Sequence, residues 1–258
     1  AAVAGVATFS SQTIDKAGTG YTLTATATGL TSATSTAFAV SPGAAAKLAF
    51  AVQPSAVVAG AAISPAVQVV VQDAQGNTVT TSTASIVLVI TSGSGTSGAT
   101  LGGTLTQAAV AGVATFSSQT IDKAGSGYTL TATATGLTSA TSTAFAVSPG
   151  AATKLAFTVQ PSNATAGAAI SPAVQVVVQD AQGNTVTTST ASITVAIGTN
   201  PSSGTLSGTS IVAASGGTAS FSTLSLDKAG AGYTLTATGT GLTSATSTAF
   251  AVSPGAAT

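Results

Sequence analysis

Apolar residues recur at every second position in short runs along this chain. Val67, Val69 and Val71 alternate with Gln68, Val70 and Gln72, and Ile86, Leu88 and Ile90 alternate with Val87 and Val89. Earlier, Leu48, Phe50 and Val52 alternate with Ala49, Ala51 and Gln53 before Pro54 ends the run. A period of two puts each set on one face of a pleated strand, so every run predicts a strand with one face in a core. Val113, Ala114, Thr115 and Phe116 predict another strand. Tyr128, Leu130 and Ala132, alternating with Thr129, Thr131 and Thr133, predict the next. Ala144, Phe145, Ala146 and Val147 predict a closing strand after a Gly136-Leu137 turn. Residues 92–103, rich in Gly and Ser, read as a loop with a short strand at Leu105. Helical periodicity is confined to a single turn near residues 121–124. About seven short strands, with turn signals every 8–12 residues, predict an all-β Greek-key sandwich.

The pattern repeats. Asp-Lys-Ala-Gly-x-Gly-Tyr-Thr-Leu-Thr-Ala starts at Asp15, Asp122 and Asp227, at spacings of 107 and 105 residues. A period one domain long marks a tandem array of whole domains. Residues 1–46 match 108–153 at all but two positions, Thr19/Ser126 and Ala46/Thr153. The expected organisation is therefore 1–43 as the C-terminal half of a repeat, with 44–150 and 151–258 as complete repeats. Residues 198–215 depart most from the preceding repeat, as loops at one end of a sandwich would. The connection Ser148-Pro149-Gly150-Ala151-Ala152-Thr153 is short and stiffened by its proline.

Composition narrows function sharply. Charged residues are 4% of the 258, with five basic and five acidic side chains and a net charge of zero, against about 25% charged in ordinary domains. Nothing in that balance draws DNA, RNA or an acidic membrane surface. No apolar run reaches the length of a membrane span. Glu, Arg, His, Cys, Met and Trp are absent, which removes disulfides and thiolate metal sites.

The tyrosine that enters a strand just after each Asp-Lys turn has the arrangement of the tyrosine corner of immunoglobulin-like sandwiches. Leu130 stands where antibody domains carry a cysteine, so an apolar contact replaces the disulfide. With Lys154-Leu155-Ala156-Phe157, the Val174-to-Asn184 strand and turn, and Asp227 to Gly241, the whole chain resembles the bacterial immunoglobulin-like repeats of large secreted and surface proteins, including adhesin and invasin-type arrays. That resemblance implies an extracellular or cell-surface location and a spacer, adhesive or polymer role. It brings no catalytic residues.

Candidate chemistry is sparse. Proton transfer, nucleophilic attack or metal binding would have to come from Asp, Lys, Tyr and hydroxyls. The tyrosines are assigned to the corner hydrogen bond and the Asp-Lys pairs to solvated turns. Asp73-Ala74-Gln75-Gly76-Asn77 reads as a turn, with Gly and Asn suited to left-handed backbone. A cation there could draw on Asp73 and the carbonyls of Gly76 and Asn77, but calcium calls for several carboxylates. No catalytic, cofactor-binding or metal-binding residue is expected, and no cofactor. The eight phenylalanines, at repeat-equivalent strand positions, are expected in the core rather than on a sugar-binding face. The threonine rows read as a wet strand face. Asn163-Ala164-Thr165 fits a glycosylation acceptor, but the preceding repeat has Ala56 in that place.

The sequence thus points to a structural, non-enzymatic segment of an extracellular fibre or surface stalk. The alternative is an adhesin segment that binds a surface, host or glycan ligand through its variable loops. Few charges guard the strands, and Val70, Val87 and Val89 fall in the outward register, so copies or repeats are expected to associate through uncharged β surfaces. Without His, that association should tolerate salt and pH from about 5 to 9. No Lys-Asn or Lys-Asp isopeptide bond is expected, because no Glu is present. Residues 1–43 lack the strands corresponding to 48–90. Either preceding repeats continue the chain, the favoured expectation, or a second copy donates the missing strands.

Overall fold

A computed structural model describes residues 2–255, and their regular structure is entirely β, without a helix. In the first complete sandwich, Val67–Gln72 lies between Lys47–Val52 and Val113–Phe116, antiparallel to both. The facing sheet runs Thr106–Ala108, Ser85–Ile90, Leu130–Thr133, Ala140–Thr141. Val67, Val69, Val71 and Phe116 from one sheet meet Ile86, Leu88, Leu130 and Ala132 from the other in one core. The Val57–Val58 strand runs parallel to Phe145–Ser148, which completes an immunoglobulin-like arrangement.

The second sandwich repeats this plan around a separate core running from Leu155 to Val252. There Lys154 pairs in parallel with Thr243, so the two sheets join along one side into a seven-stranded sheet. In the first sandwich the same seam is narrower, a Lys47–Thr138 bridge with the Leu48 N–H donating to the Thr138 carbonyl at 2.9 Å.

Each tyrosine corner forms. The Tyr128 hydroxyl donates to the Lys123 carbonyl at 2.7 Å, Tyr21 to Lys16 at 3.0 Å and Tyr233 to Lys228 at 3.0 Å. The Tyr128 ring is fully buried, packs on Phe145 at 6.0 Å and closes against Gly95, where a Cβ would collide with it. Gly95 also has φ of 65°, so an L side chain is excluded twice over.

The structure departs from the periodicity in several places. The tyrosine run splits into Gly125–Tyr128 and Leu130–Thr133. Tyr128 pairs with Phe145, Leu130 pairs with Ile90, and the Thr129 carbonyl accepts from the Thr91 N–H between them. Residues 121–124 form no helical turn: Ile121 is buried and paired with Leu101, which leaves too few residues before the strand at Gly125. Within 92–108, the strands are Leu101–Gly102 and Thr106–Ala108 rather than one at Leu105. Val70 occupies the outward register yet is buried at 8% exposure, flanked across the sheet by Ala49 and Val113. Val89 in the same register is exposed. Of the phenylalanines, Phe116, Phe145, Phe221 and Phe250 are buried, Phe50 and Phe157 are half-buried against the two cores, and Phe9 and Phe38 are exposed, against expectation.

One buried polar group distinguishes the two sandwiches. Gln119 is fully buried, donating to the Thr104 carbonyl at 2.6 Å and accepting from the Ser118 N–H at 3.2 Å, where the second sandwich has a buried Leu224. Thr104 and Ser118 are exposed, so water can take over both backbone groups. Gln119→Leu is therefore expected to be neutral or to stabilise the first sandwich by about 1 kcal/mol. A urea midpoint lowered by that substitution would contradict it.

Candidate functional site

The two sequence-identical turns Asp73-Ala-Gln-Gly-Asn77 and Asp180-Ala-Gln-Gly-Asn184 lie where one repeat meets the next. Each begins at the end of a strand that lies between two antiparallel neighbours, Val67–Gln72 or Val174–Gln179. Gly183, with φ of 88°, turns the chain back, and Asn184, which is not left-handed as expected, aims its amide across the junction.

That amide is fully used. The Asn184 Nδ2 donates to the Asp122 carbonyl of the preceding sandwich at 2.9 Å and to its own turn's Asp180 Oδ2 at 2.9 Å. Its Oδ1 accepts from the Ala124 N–H at 2.8 Å. Asn77 does the same to the leading half-repeat, donating to the Asp15 carbonyl at 2.8 Å and to Asp73 Oδ2 at 2.9 Å, and accepting from the Ala17 N–H at 3.0 Å. The Asp-Lys-Ala turn of one repeat is thus the socket for the asparagine of the next. Gln182 adds a contact against Gly60 of the preceding sandwich, where a Cβ would strike its amide.

The aspartate holds the connecting chain. Asp180 Oδ2 accepts from the Gly150 N–H at 2.8 Å and Oδ1 from the Asn184 N–H at 2.8 Å. Asp73 accepts equivalently from Gly43 at 2.8 Å and Asn77 at 2.8 Å. Both carboxylates are buried. Lys47 and Lys154 donate to the Ala74 and Ala181 carbonyls at 3.2 and 3.1 Å, tying the first strand of each sandwich to the same turn. The connection is therefore pinned at Gly150 while Asn184 anchors the neighbour separately. Two separated anchors on short backbone restrict both tilt and twist.

The donor set fixes the ionisation. The Asn77 side chain, with the Gly43, Asn77 and Gln75 N–H groups, outweighs burial and brings Asp73 down to about 2. At Asp180 burial opposes the charge, yet the Asn184 side chain and the Gly150, Asn184 and Gln182 N–H groups prevail and its value is also lowered. A carboxylate saturated by N–H donors is a poor cation ligand, and among the described residues no three metal-ligating side chains gather. The depressed values give a sign: the joint's electrostatic contribution is complete above the unfolded carboxylate range near 4 and is lost as pH falls toward 2. Acid titration should leave the joint intact from pH 9 to about 4 and loosen it below, as read by the mobility of one sandwich relative to the other. Loosening near pH 6 would contradict this.

The Asp-Lys turns are braced rather than simply solvated. Asp122 Oδ1 accepts from the Thr100 N–H at 2.7 Å, and Asp227 Oδ1 from Thr205 at 2.6 Å. The Thr205 N–H is the main cause of the lowered value at Asp227, whereas at Asp122 burial is outweighed by Thr100 and the turn itself. Lys123 Nζ reaches the Ser97 carbonyl at 3.3 Å. The inter-repeat role of Asn77 and Asn184 was not foreseen in the sequence; its signal is the five-residue turn kept unchanged while residues 198–215 diverge.

No protein-family profile and no curated protein matches this chain. Among solved structures it is similar to the Escherichia coli adhesin FdeC, with 19% identity and a TM-score of 0.37 over 85% of this chain and 68% of that one. It is similar to invasin, a bacterial integrin-binding protein, with 19% identity and a TM-score of 0.32 over 78% of this chain and 38% of invasin. A β-glycosidase from Bacteroides vulgatus gives 13% identity and a TM-score of 0.34 over 79% of this chain and 24% of the enzyme. Likeness of this degree extends to adhesins and an enzyme alike and does not discriminate between their activities.

Proposed function

We propose that this chain is a non-enzymatic structural segment of an extracellular fibre or surface stalk, in which immunoglobulin-like sandwiches are clasped end to end. The observation that supports it is the repeated joint: one asparagine amide spans each junction with the same three partners, and a buried aspartate fixes the connecting backbone. A passive tether needs no such device. A stalk that projects its end away from a surface does, since a flexible string of beads coils while clasped beads hold their direction. Association of copies through the exposed Val89 region belongs to the same proposal; Val70, being buried, does not contribute.

The absence of cysteine makes the test direct. Ser117→Cys and Ser222→Cys, both exposed and one in each sandwich, accept spin labels. A single narrow distance distribution is expected. A broad one in the otherwise native chain would remove the stalk reading.

A further inference from the structure

A single peptide group at the junction carries bonds from both sandwiches. The Lys123 carbonyl accepts from the Tyr128 hydroxyl of its own sandwich at 2.7 Å. The Ala124 N–H of the same peptide donates to Asn184 Oδ1 of the next sandwich at 2.8 Å. The other junction repeats the arrangement. Tyr21 donates to the Lys16 carbonyl at 3.0 Å, and the Ala17 N–H donates to Asn77 Oδ1 at 3.0 Å. A trans peptide is planar, and its C=O and N–H point in opposite directions. A rotation that frees one bond therefore misaims the other.

The hydrogen bonds continue to either side. The Tyr128 ring is fully buried and packed on Phe145, so its hydroxyl has a fixed origin. Beyond Ala124, the Asn184 amide donates to Asp180 Oδ2 at 2.9 Å, and that oxygen also accepts from the Gly150 N–H at 2.8 Å. An unbroken row of bonds thus runs from the core of one sandwich to the buried carboxylate of the next. Members of such a row polarise one another, so a donor on the Lys123 carbonyl makes the Ala124 N–H a stronger donor in turn. Two further bonds brace the same turn. Thr96 Oγ1 donates to the Ala124 carbonyl at 2.7 Å, and the Thr100 N–H donates to Asp122 Oδ1 at 2.7 Å.

We propose that Tyr128 is a positioning residue of the joint: its hydroxyl aims the Lys123–Ala124 peptide at Asn184, so the corner that closes one sandwich also orients the next. This role deepens the stalk reading and rests on it. The coupling is reciprocal, since a seated Asn184 favours the corner bond as much as the corner favours seating. Adjacent repeats then share stability as nearest neighbours in a row.

The test compares Tyr128→Phe with Ile86→Val in the full chain, using spin labels at positions 117 and 222 and amide exchange. Tyr128→Phe keeps the ring but leaves the Lys123 carbonyl without its donor. Ile86→Val trims a fully buried side chain of the same core, at a comparable cost to the fold. Both should speed exchange at Leu130 alike. Only Tyr128→Phe should speed exchange at Ala124 by about a further fivefold and broaden the distance distribution. Added to Asn184→Ala, it should broaden the distribution no further, because it acts through Asn184. The proposal is overturned if Tyr128→Phe leaves the distribution as narrow as the native one, or if Ile86→Val broadens it equally. A broad distribution in the native chain removes the stalk reading too, so the two failures are told apart.

Discussion

Asn184→Asp is expected to release the second sandwich from the first. The substitution removes both Nδ2 donations, to the Asp122 carbonyl and to Asp180 Oδ2, each at 2.9 Å. Two lost hydrogen bonds, one of them to a charged acceptor, amount to about 2–3 kcal/mol at the junction. The new carboxylate also faces Asp180 at hydrogen-bonding distance, and two such groups cannot both ionise freely. Asn184→Ala loses the bonds without adding charge, so it should loosen the joint less. The aspartate variant alone should recover partly in acid, where the pair retains a shared proton. Labels at positions 117 and 222 would report a broadened distance distribution, and proteases would gain access at residues 149–152. A distribution as narrow as the native one in both variants would remove the clasp from the account of the joint.

Tyr128→Ala should nearly unfold the first sandwich. The ring is fully buried, packs on Phe145 and is closed over by Gly95. Truncating a buried aromatic costs about 3–5 kcal/mol, a large part of the 5–15 kcal/mol that holds a typical domain together. Tyr128→Phe keeps the packing and loses only the 2.7 Å bond to the Lys123 carbonyl, so about 1 kcal/mol is expected. The chain contains its own control. Tyr21 makes the corresponding bond but is only half-buried, so Tyr21→Ala should cost far less. Because each sandwich has its own core, amide exchange at Leu130 and Leu235 reads each one better than a single melting curve. Equal losses at Tyr21 and Tyr128 would show that the corner bond, not burial, carries the stability.

The alternation of apolar residues determined which segments are strands and which face points inward. Val67, Val69, Val71, Ile86 and Leu88 are all fully buried, because the pleat sends neighbouring side chains to opposite faces whatever the strand pairs with. The tyrosine corner was equally legible, since its donor and acceptor lie five residues apart. What spans longer separations was decided only by the tertiary structure. Val70 is buried by Ala49 and Val113 on neighbouring strands, and the break at Thr129 arises because Tyr128 and Leu130 pair with different strands. The clasp joins residues 60 and 62 positions apart, and no local pattern states which turn an asparagine will reach. Val-Ala-Thr-Phe is a strand paired with Val67–Gln72 at 113–116, whereas at 6–9 only Val6 is bridged, to Val3. A strand's propensity is written in its own residues, but its hydrogen bonds belong to a neighbour.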